Sequence, residues 1–208
     1  MATKEEDLQG IQPFQASLKY DNQISDKLLD LLINDKLTDF QIKSHGEIIK
    51  CHRTVLYSTC DYFATMFNSG LKEAAENKVE MDAIDPHVIR VIVHYLYGAK
   101  VKIEWEKIQA YFDACEMLQL KDLKRELEQH AVRYISVENC IGWYKFAEKY
   151  ALDNICEVAR HLMLSEFPNV CKYEEYRALS FAEVIDYLTD SEVKVRRHDD
   201  IVTATIQW

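Results

Sequence analysis

Strand-type patterns end near residue 106 of this 208-residue chain, and every apolar pattern beyond that point has helical spacing. Two helices are predicted directly after residue 106, and a third begins at Ser136. The stretch 180–183, SFAE, has the serine and glutamate of a capping box. With only 5 Gly and 3 Pro, the composition favours helices over a β-sandwich or barrel. The first two apolar faces are Ile108, Tyr111, Phe112, Cys115 and Leu118, then Leu120, Leu123, Leu127, Ala131 and Tyr134.

The chain before residue 106 mixes helices and strands. Helical spacing over 25–34, SDKLLDLLIN, predicts a short helix with Ser25 or Asp26 as its N-cap. The stretch 38–51 alternates on both sides of His45-Gly46, which predicts a β-hairpin.

Four further elements are predicted before residue 106. Helical spacing returns at Arg53 and ends at Gly70. KVEM, 78–81, is typical of a short strand. DPHVIRVIVHYLYG, 85–98, has an aspartate cap, a proline at the first helical position and a glycine past the end, which together delimit a helix. VKIEW, 101–105, alternates as an exposed or edge strand does.

These patterns predict an α+β fold in two domains: a mixed domain over 24–134 and an all-helical domain over 135–208. Residues 1–23 are polar and aperiodic, so we interpret them as a flexible tail. The last helix, from about Asp199, ends at Trp208 without a stop signal. We therefore expect the helical domain to be truncated there and to expose an apolar patch.

Composition and spacing exclude several classes of function. The net charge of −10 and the pI of about 5.2 argue against nucleic acid as a partner. Every apolar run is broken well short of a membrane span. The six cysteines lack CxxC spacing, and the histidines lack metal-ligand spacing, so we expect free thiols, a reducing compartment and no metal. Without a phosphate-binding glycine loop or a nucleophile beside a base, the sequence indicates a non-enzyme without a cofactor.

A leucine and a glutamate, two residues apart, follow the predicted helix end at Gly70. The stretch Leu71-Lys72-Glu73 is too short and polar to bury much of itself. These side chains are therefore either a minor packing contact or an anchor offered to a partner.

The segment FQIKSHGEIIKCHRTVLYSTCDYFATMFNSGLKE, 40–73, resembles the core of BTB (POZ) domains. The following SVENCIGWYKFAEKYALDNICEVARHLMLSEF, 136–167, is similar to the opening of a BACK domain with its 3-box helix pair. A BTB domain followed by a BACK domain resembles the N-terminal part of kelch-like proteins, although the sequence contains no kelch repeat. The BTB matches are Asp39, His52, Arg53, Leu56, Tyr62, Phe63, Met66, Phe67 and Gly70.

The resemblance implies a dimeric adaptor that recruits cullin-3 to a ubiquitin ligase in the cytoplasm, with an additional nuclear pool. Leu71-Lys72-Glu73 matches the φ-x-E motif of BTB proteins that bind cullin-3, so Leu71, Glu73 and Tyr62 are the residues expected to contact the cullin-3 N-terminal domain. The protein substrate would be bound by a module outside these 208 residues. His52 and Arg53 occupy a structural position of the family and are expected to pack rather than to catalyse.

The apolar residues of helix 25–34 spread over more than the ~100° stripe that one core contact needs. We expect the excess to bury against a second copy, as in BTB dimers. The alternative function is an architectural or transcriptional BTB dimer that binds no cullin. In the helical domain, Trp143, Tyr144, Phe146 and Tyr150 cannot all face inward. We expect one or two of them to line the groove where the N-terminal extension of the cullin would lie, and Tyr144 to pack in the core. The predicted dimer residues are Leu28, Leu29, Leu31, Leu32 and Ile33.

Overall fold

A computed structural model describes residues 14–16, 22–70, 72–194, 206 and 208 of the chain. The chain divides into two compact units, Met1–Glu126 and Leu127–Trp208. The first unit mixes helices and strands, and the described part of the second unit is helical, so the predicted α+β class is confirmed. No helix among the described residues is both long enough and apolar enough to span a bilayer.

The first unit contains two small sheets and seven helices in its described part, with the last helix extending past the division between the units. In chain order the elements are β1 Phe14–Ala16, α1 Asn22–Ile33, β2 Phe40–Ser44, β3 Glu47–Cys51, α2 Arg53–Thr59, α3 Asp61–Asn68, α4 Lys72–Glu76, β4 Lys78–Glu80, α5 Pro86–Leu96, β5 Val101–Ile103, a 3-10 turn Trp105–Lys107, α6 Ile108–Leu118 and α7 Lys121–Ala131.

The three-stranded sheet has the order β3-β2-β4, with β2 antiparallel to β3 and parallel to β4. The predicted hairpin is confirmed: Ile42 pairs with Ile49, and both are buried. His45 and Gly46 both have positive φ, 46° and 86°, as a two-residue hairpin turn requires. The predicted strand near Val79 is confirmed as β4, which pairs with β2.

The second sheet corrects one prediction and decides between the two alternatives of another. Residues 14–16 form β1 and pair antiparallel with β5, so this part of the expected flexible tail is a strand. Strand β5 lies at a sheet edge as predicted, but it is not exposed, since Val101, Ile103 and Trp105 are buried. A three-residue strand carries too little alternation to be recognised in an otherwise polar stretch.

Helix α1 starts three residues before the predicted start, at Asn22, so Ser25 lies inside the helix and does not cap it. The buried hydroxyl of Ser25 instead donates a hydrogen bond to the carbonyl of Tyr97 at 2.8 Å. A serine before an apolar run predicts a cap, but a buried carbonyl that needs a donor can hold the same hydroxyl inside a helix.

The continuous helix predicted from Arg53 is two helices. Cys60 has extended backbone angles, φ −146° and ψ 117°, and separates α2 from α3. Its Sγ donates to the carbonyl of Leu118 at 3.3 Å. The apolar spacing runs across the break without a change, so periodicity alone does not reveal it. Gly70 follows α3 with φ 68°, as the predicted helix end requires.

Helix α5 follows its sequence signals closely. The Asp85 side chain accepts from the backbone of His87 at 2.9 Å and Val88 at 3.3 Å, Pro86 is the first helical residue, and Gly98 follows with φ 79°. The predicted inward residues Val88, Ile92, Tyr95 and Leu96 are all buried.

The described part of the second unit is a cluster of helices around an aromatic core. A 3-10 turn, Val132–Tyr134, precedes α8 Cys140–Tyr150, α9 Asp153–Ser165, α10 Phe167–Val170, α11 Glu174–Arg177 and α12 Phe181–Thr189. The rings of Phe167, Tyr176 and Tyr187 meet edge to face, with centroids 5.2 to 6.3 Å apart. The core residues are Cys140, Ile141, Leu164, Phe167, Val170, Cys171, Tyr176, Leu179, Val184 and Tyr187.

The helix starts of the second unit show one confirmation and one correction. The capping box at α12 is confirmed: Glu183 N–H donates to Ser180 Oγ, and Ser180 N–H donates to the Glu183 carboxylate at 2.7 Å. The helix predicted from Ser136 begins at Cys140, because the Asn139 side chain accepts from Ser136 N–H and holds a turn before it. The helix predicted from Asp199 lies outside the described residues, except for positions 206 and 208.

Candidate protein-binding surfaces

The segment after α3 carries two of the three predicted cullin contacts. Leu71 lies outside the described residues. Glu73 lies in the first turn of α4 and is half-buried. The structure describes all five residues of α4, and none of them is fully buried. Helix α4 therefore lies on the surface of the unit, directly after the turn at Gly70.

Tyr62, the third predicted contact, is near Glu73. Its side chain lies on α3 and is half-buried, with its ring in edge contact with Phe63 at 5.3 Å. Burial raises the pKa of the Tyr62 phenol, and the negative charge of Glu73 raises it further. Tyr62 and Glu73 are thus both partly exposed, and the charge of the Glu73 carboxylate acts on the Tyr62 phenol.

His52 has a structural position, as expected. Its backbone N–H donates to the Tyr97 hydroxyl at 2.8 Å, and that hydroxyl also lies 2.7 Å from Nδ1. Nε2 lies 2.8 Å from the carbonyl of Lys36, which can only accept. Nε2 therefore carries the proton, and Nδ1 accepts from Tyr97. Both ring nitrogens are engaged by these contacts, so neither has a free position for acid–base chemistry.

Arg53 also has a structural position, at the start of α2. Its backbone N–H donates to the Asp39 carboxylate at 2.7 Å. Its guanidinium donates to the carbonyl of Ala74 at 2.8 Å and to Asn77 Oδ1 at 2.5 Å, and lies 4.5 Å from the centroid of the Phe67 ring. The matched residues Asp39 and Arg53 thus hold neighbouring elements together.

The predicted dimer helix has one buried and several accessible apolar side chains. Leu32 is buried within its own unit, at 7% exposure, whereas Ile33 is 67% exposed. Leu28, Leu29 and Leu31 are half-buried. The structure adds two exposed residues that the sequence reasoning did not select, Ile24 at 61% and Leu37 at 80%. Ile24 precedes the predicted helix start, which is why it was missed.

The four aromatic residues of α8 differ in burial, as expected for a helix that cannot turn all of them toward the core. Tyr150 is buried, while Trp143, Tyr144 and Phe146 are half-buried, so Tyr144 is only partly in the core. The ring of Phe146 contacts both neighbours, with centroids 5.5 Å from Trp143 and 4.6 Å from Tyr150. The groove role of these side chains stays a prediction.

The cysteines are free and, apart from Cys156, buried. Burial raises the pKa of Cys51 and Cys140 to about 12 and raises that of Cys115 as well. Thiols that stay protonated are poor nucleophiles and poor metal ligands. Within the described ranges, no group of three or more His, Cys, Asp or Glu side chains could hold a metal ion.

Comparison with known proteins finds a matching domain family in each half of the chain. Residues 28–134 match the BTB/POZ domain family, and residues 140–208 match the family described as BTB And C-terminal Kelch, or BACK. The chain is 29% identical over 163 residues to Kelch-like protein 23 from Homo sapiens, covering 78% of this chain and 29% of that protein. It is 29% identical over 174 residues to Kelch repeat and BTB domain-containing protein 8 from Xenopus tropicalis, covering 83% of this chain and 29% of that protein.

A third relative, Kelch-like protein 40 from Xenopus tropicalis, is 24% identical over 185 residues, which are 89% of this chain and 30% of that protein. The chain thus spans less than a third of the length of these relatives. The two domain matches lie in the order predicted from the sequence, with α3, the turn at Gly70 and α4 inside the BTB match. The chain belongs to the BTB–BACK family of kelch-like proteins.

Proposed function

We propose that this chain is the dimerising, cullin-3-binding part of a non-catalytic ubiquitin-ligase adaptor, whose substrate is bound by a module outside these 208 residues. The observation that carries the proposal is the surface helix α4. Glu73 lies half-buried in the first turn of this helix, and its position after α3 matches that of the φ-x-E glutamate in BTB proteins that bind cullin-3, which supports the proposal.

The chemistry of this surface fits a protein partner. An apolar side chain at position 71 can fill a small pocket between partner helices, while a carboxylate two residues later accepts hydrogen bonds at the pocket rim. Tyr62 adds a phenol that is apolar along its ring and polar at its hydroxyl, a side chain that is common in protein interfaces. Both α4 and Tyr62 are accessible in the protomer.

Calorimetric titration with the cullin-3 N-terminal domain tests this role. Leu71→Ala should lose about 1–3 kcal/mol of binding free energy, the range for a good apolar anchor. Glu73→Ala should lose less, unless its carboxylate is fully desolvated in the complex. Glu106→Ala, which removes an exposed carboxylate from the 3-10 turn before α6, is the matched control and should bind as wild type does.

Two outcomes would contradict the assignment at different levels. If the wild-type chain does not bind cullin-3, the adaptor role fails and the architectural dimer remains. If binding survives both Leu71→Ala and Glu73→Ala, the cullin interaction stands but does not use this segment. Melting temperature and dimer mass must match wild type in every variant, so that a lost contact is not confused with a lost fold.

The proposed dimer is supported by the different burial of two faces of α1. Ser25 and Leu32, which are seven residues apart and therefore share one helix face, are buried within the unit. Ile24, Leu28 and Leu31 follow an i, i+4, i+7 pattern on a second face, and they are exposed or half-buried. An apolar stripe that the protomer does not cover fits a two-fold contact with a second copy.

Light scattering at micromolar concentration measures the dimer directly. Ile24→Asp should shift the mass toward that of a monomer, because the stripe would then bury a charge. Ile48→Asp makes the same change at an isoleucine of similar exposure, 55% against 61%, on the edge strand β3, and should leave a dimer. A wild-type monomer, or equal dimer loss in both variants, would refute the assignment of α1.

A further inference from the structure

Helix α4 is too short to hold itself in place. It has five residues, none of them buried, and isolated helices of this length are not stable in water. Its position must therefore be fixed by contacts with neighbouring elements. This matters for the proposed function, because α4 carries Glu73.

The Arg53 side chain makes three contacts around this segment: one with α4 itself, one with the residue after it and one with α3 before it. One nitrogen, Nη1, donates both to the carbonyl of Ala74 inside α4 and to Asn77 Oδ1 just after it, at 2.8 and 2.5 Å. The guanidinium carbon Cζ also lies over the Phe67 ring in the last turn of α3, 4.5 Å from its centroid. One half-buried side chain thus connects the helix before the segment with the turn after it.

Both ends of this link are anchored in the sheet. Asp39, directly before β2, accepts the Arg53 N–H. Asn77 has φ 54°, a left-handed conformation that asparagine tolerates, and its carbonyl accepts from the backbone N–H of Gln41 in β2 at 3.0 Å. The segment 72–77 is therefore fixed to β2 at its C-terminal end, and Arg53 ties it there by its side chain.

We propose that Arg53 is a positioning residue for the cullin-3 contact: it holds α4 so that Glu73 is presented in one place. This inference rests on the function proposed above. A planar guanidinium donates and stacks at the same time, whereas a lysine ammonium cannot stack in that way. Arg53→Lys should therefore behave like Arg53→Gln and should not rescue the contact.

The test combines binding with a measurement on α4 itself. Arg53→Gln should weaken binding of the cullin-3 N-terminal domain about tenfold, equivalent to about 1.4 kcal/mol. Hydrogen exchange of a peptide covering 72–77 should become faster, while exchange in the β2–β3 hairpin should stay as in wild type. Arg90→Gln is the matched control: it removes a guanidinium that pairs with Glu47 at 2.6 Å on the surface, and should change neither readout.

A double-mutant cycle separates positioning from a general loss of structure. If Arg53 acts through Glu73, Arg53→Gln should weaken binding much less in a Glu73→Ala background than in wild type. An equal loss in both backgrounds would overturn the inference. Unchanged exchange of 72–77 in Arg53→Gln would overturn it too, whether or not cullin-3 binds. Failure of wild type to bind, with faster exchange in Arg53→Gln, would instead refute the proposed function and the cullin part of the inference, and leave Arg53 as a clamp on α4.

Discussion

Removing the Tyr97 hydroxyl should destabilise the first unit strongly. Tyr97 is 1% exposed, and its hydroxyl accepts from the His52 N–H and donates to His52 Nδ1. Burial raises the pKa of this phenol above its ordinary value, so it remains a donor at neutral pH. In Tyr97→Phe the ring still fills its space, so the effect reports the two hydrogen bonds and little else.

The structure sets the size of the effect. Each hydrogen bond contributes about 1 kcal/mol net, and a buried donor left without a partner costs about 1–3 kcal/mol. His52 cannot adapt by moving its proton to Nδ1, because Nε2 must donate to the Lys36 carbonyl. Tyr97→Phe should therefore lower the free energy of unfolding by about 2–4 kcal/mol.

Chemical denaturation followed by circular dichroism measures this difference, at one fixed protein concentration because the stability of the proposed dimer would depend on concentration. Tyr57→Phe is the matched control, since the side chain is exposed and its hydroxyl accepts from the exposed Asn68 amide at 3.1 Å. It should change the free energy of unfolding by less than about 0.5 kcal/mol. If Tyr97→Phe costs no more than Tyr57→Phe, the buried network does not exist as described, and His52 would be open again to a functional role.

Three smaller predictions concern the helix start at Ser180 and the thiols. Ser180→Ala should lose about 1 kcal/mol of stability in denaturation, because the capping box with Glu183 is broken. An aromatic disulfide reagent at pH 8 should label at most Cys156 quickly in the native chain and all six thiols after unfolding; fast labelling of a second thiol would contradict the burial described. The free energy of unfolding should fall as pH rises from about 9 toward 12, because Cys51 and Cys140 stay protonated in the folded chain and ionise in the unfolded chain. Each thiol should lower it by about 1.4 kcal/mol per pH unit in this range. A flat profile of stability against pH in this range would refute the burial of these thiols.

The features predicted correctly from the sequence are those fixed by local chemistry. Helix α5 carries its own cap, first-turn proline and terminal glycine within one short stretch, so no distant residue is needed to define it. The hairpin likewise depends on two residues, His45 and Gly46, whose positive φ sets the turn. The capping box of α12 is a third case, since both partners lie within four residues.

The features predicted incorrectly depend on residues far apart in the chain. Ser25 has the local signature of a cap, but its hydroxyl bonds to a carbonyl 72 residues away. Cys60 interrupts a helix that is periodic in sequence, and its Sγ reaches a carbonyl 58 residues away. Strand β1 exists because β5 offers it a partner, at Phe14 opposite Ile103. None of these partners is visible in a local pattern.

The candidate cullin surface combines both kinds of information. The order of α3, Gly70 and Leu71-Lys72-Glu73 can be recognised from sequence because the motif is contiguous. What holds Glu73 in place cannot be recognised there, since Arg53 lies 20 residues earlier and reaches α4 through a main-chain carbonyl, which every residue type has. A glutamate on an unburied five-residue helix can serve as a specific contact only if something else fixes that helix. The identity of the motif is therefore local, whereas its usefulness as a binding surface depends on a tertiary contact.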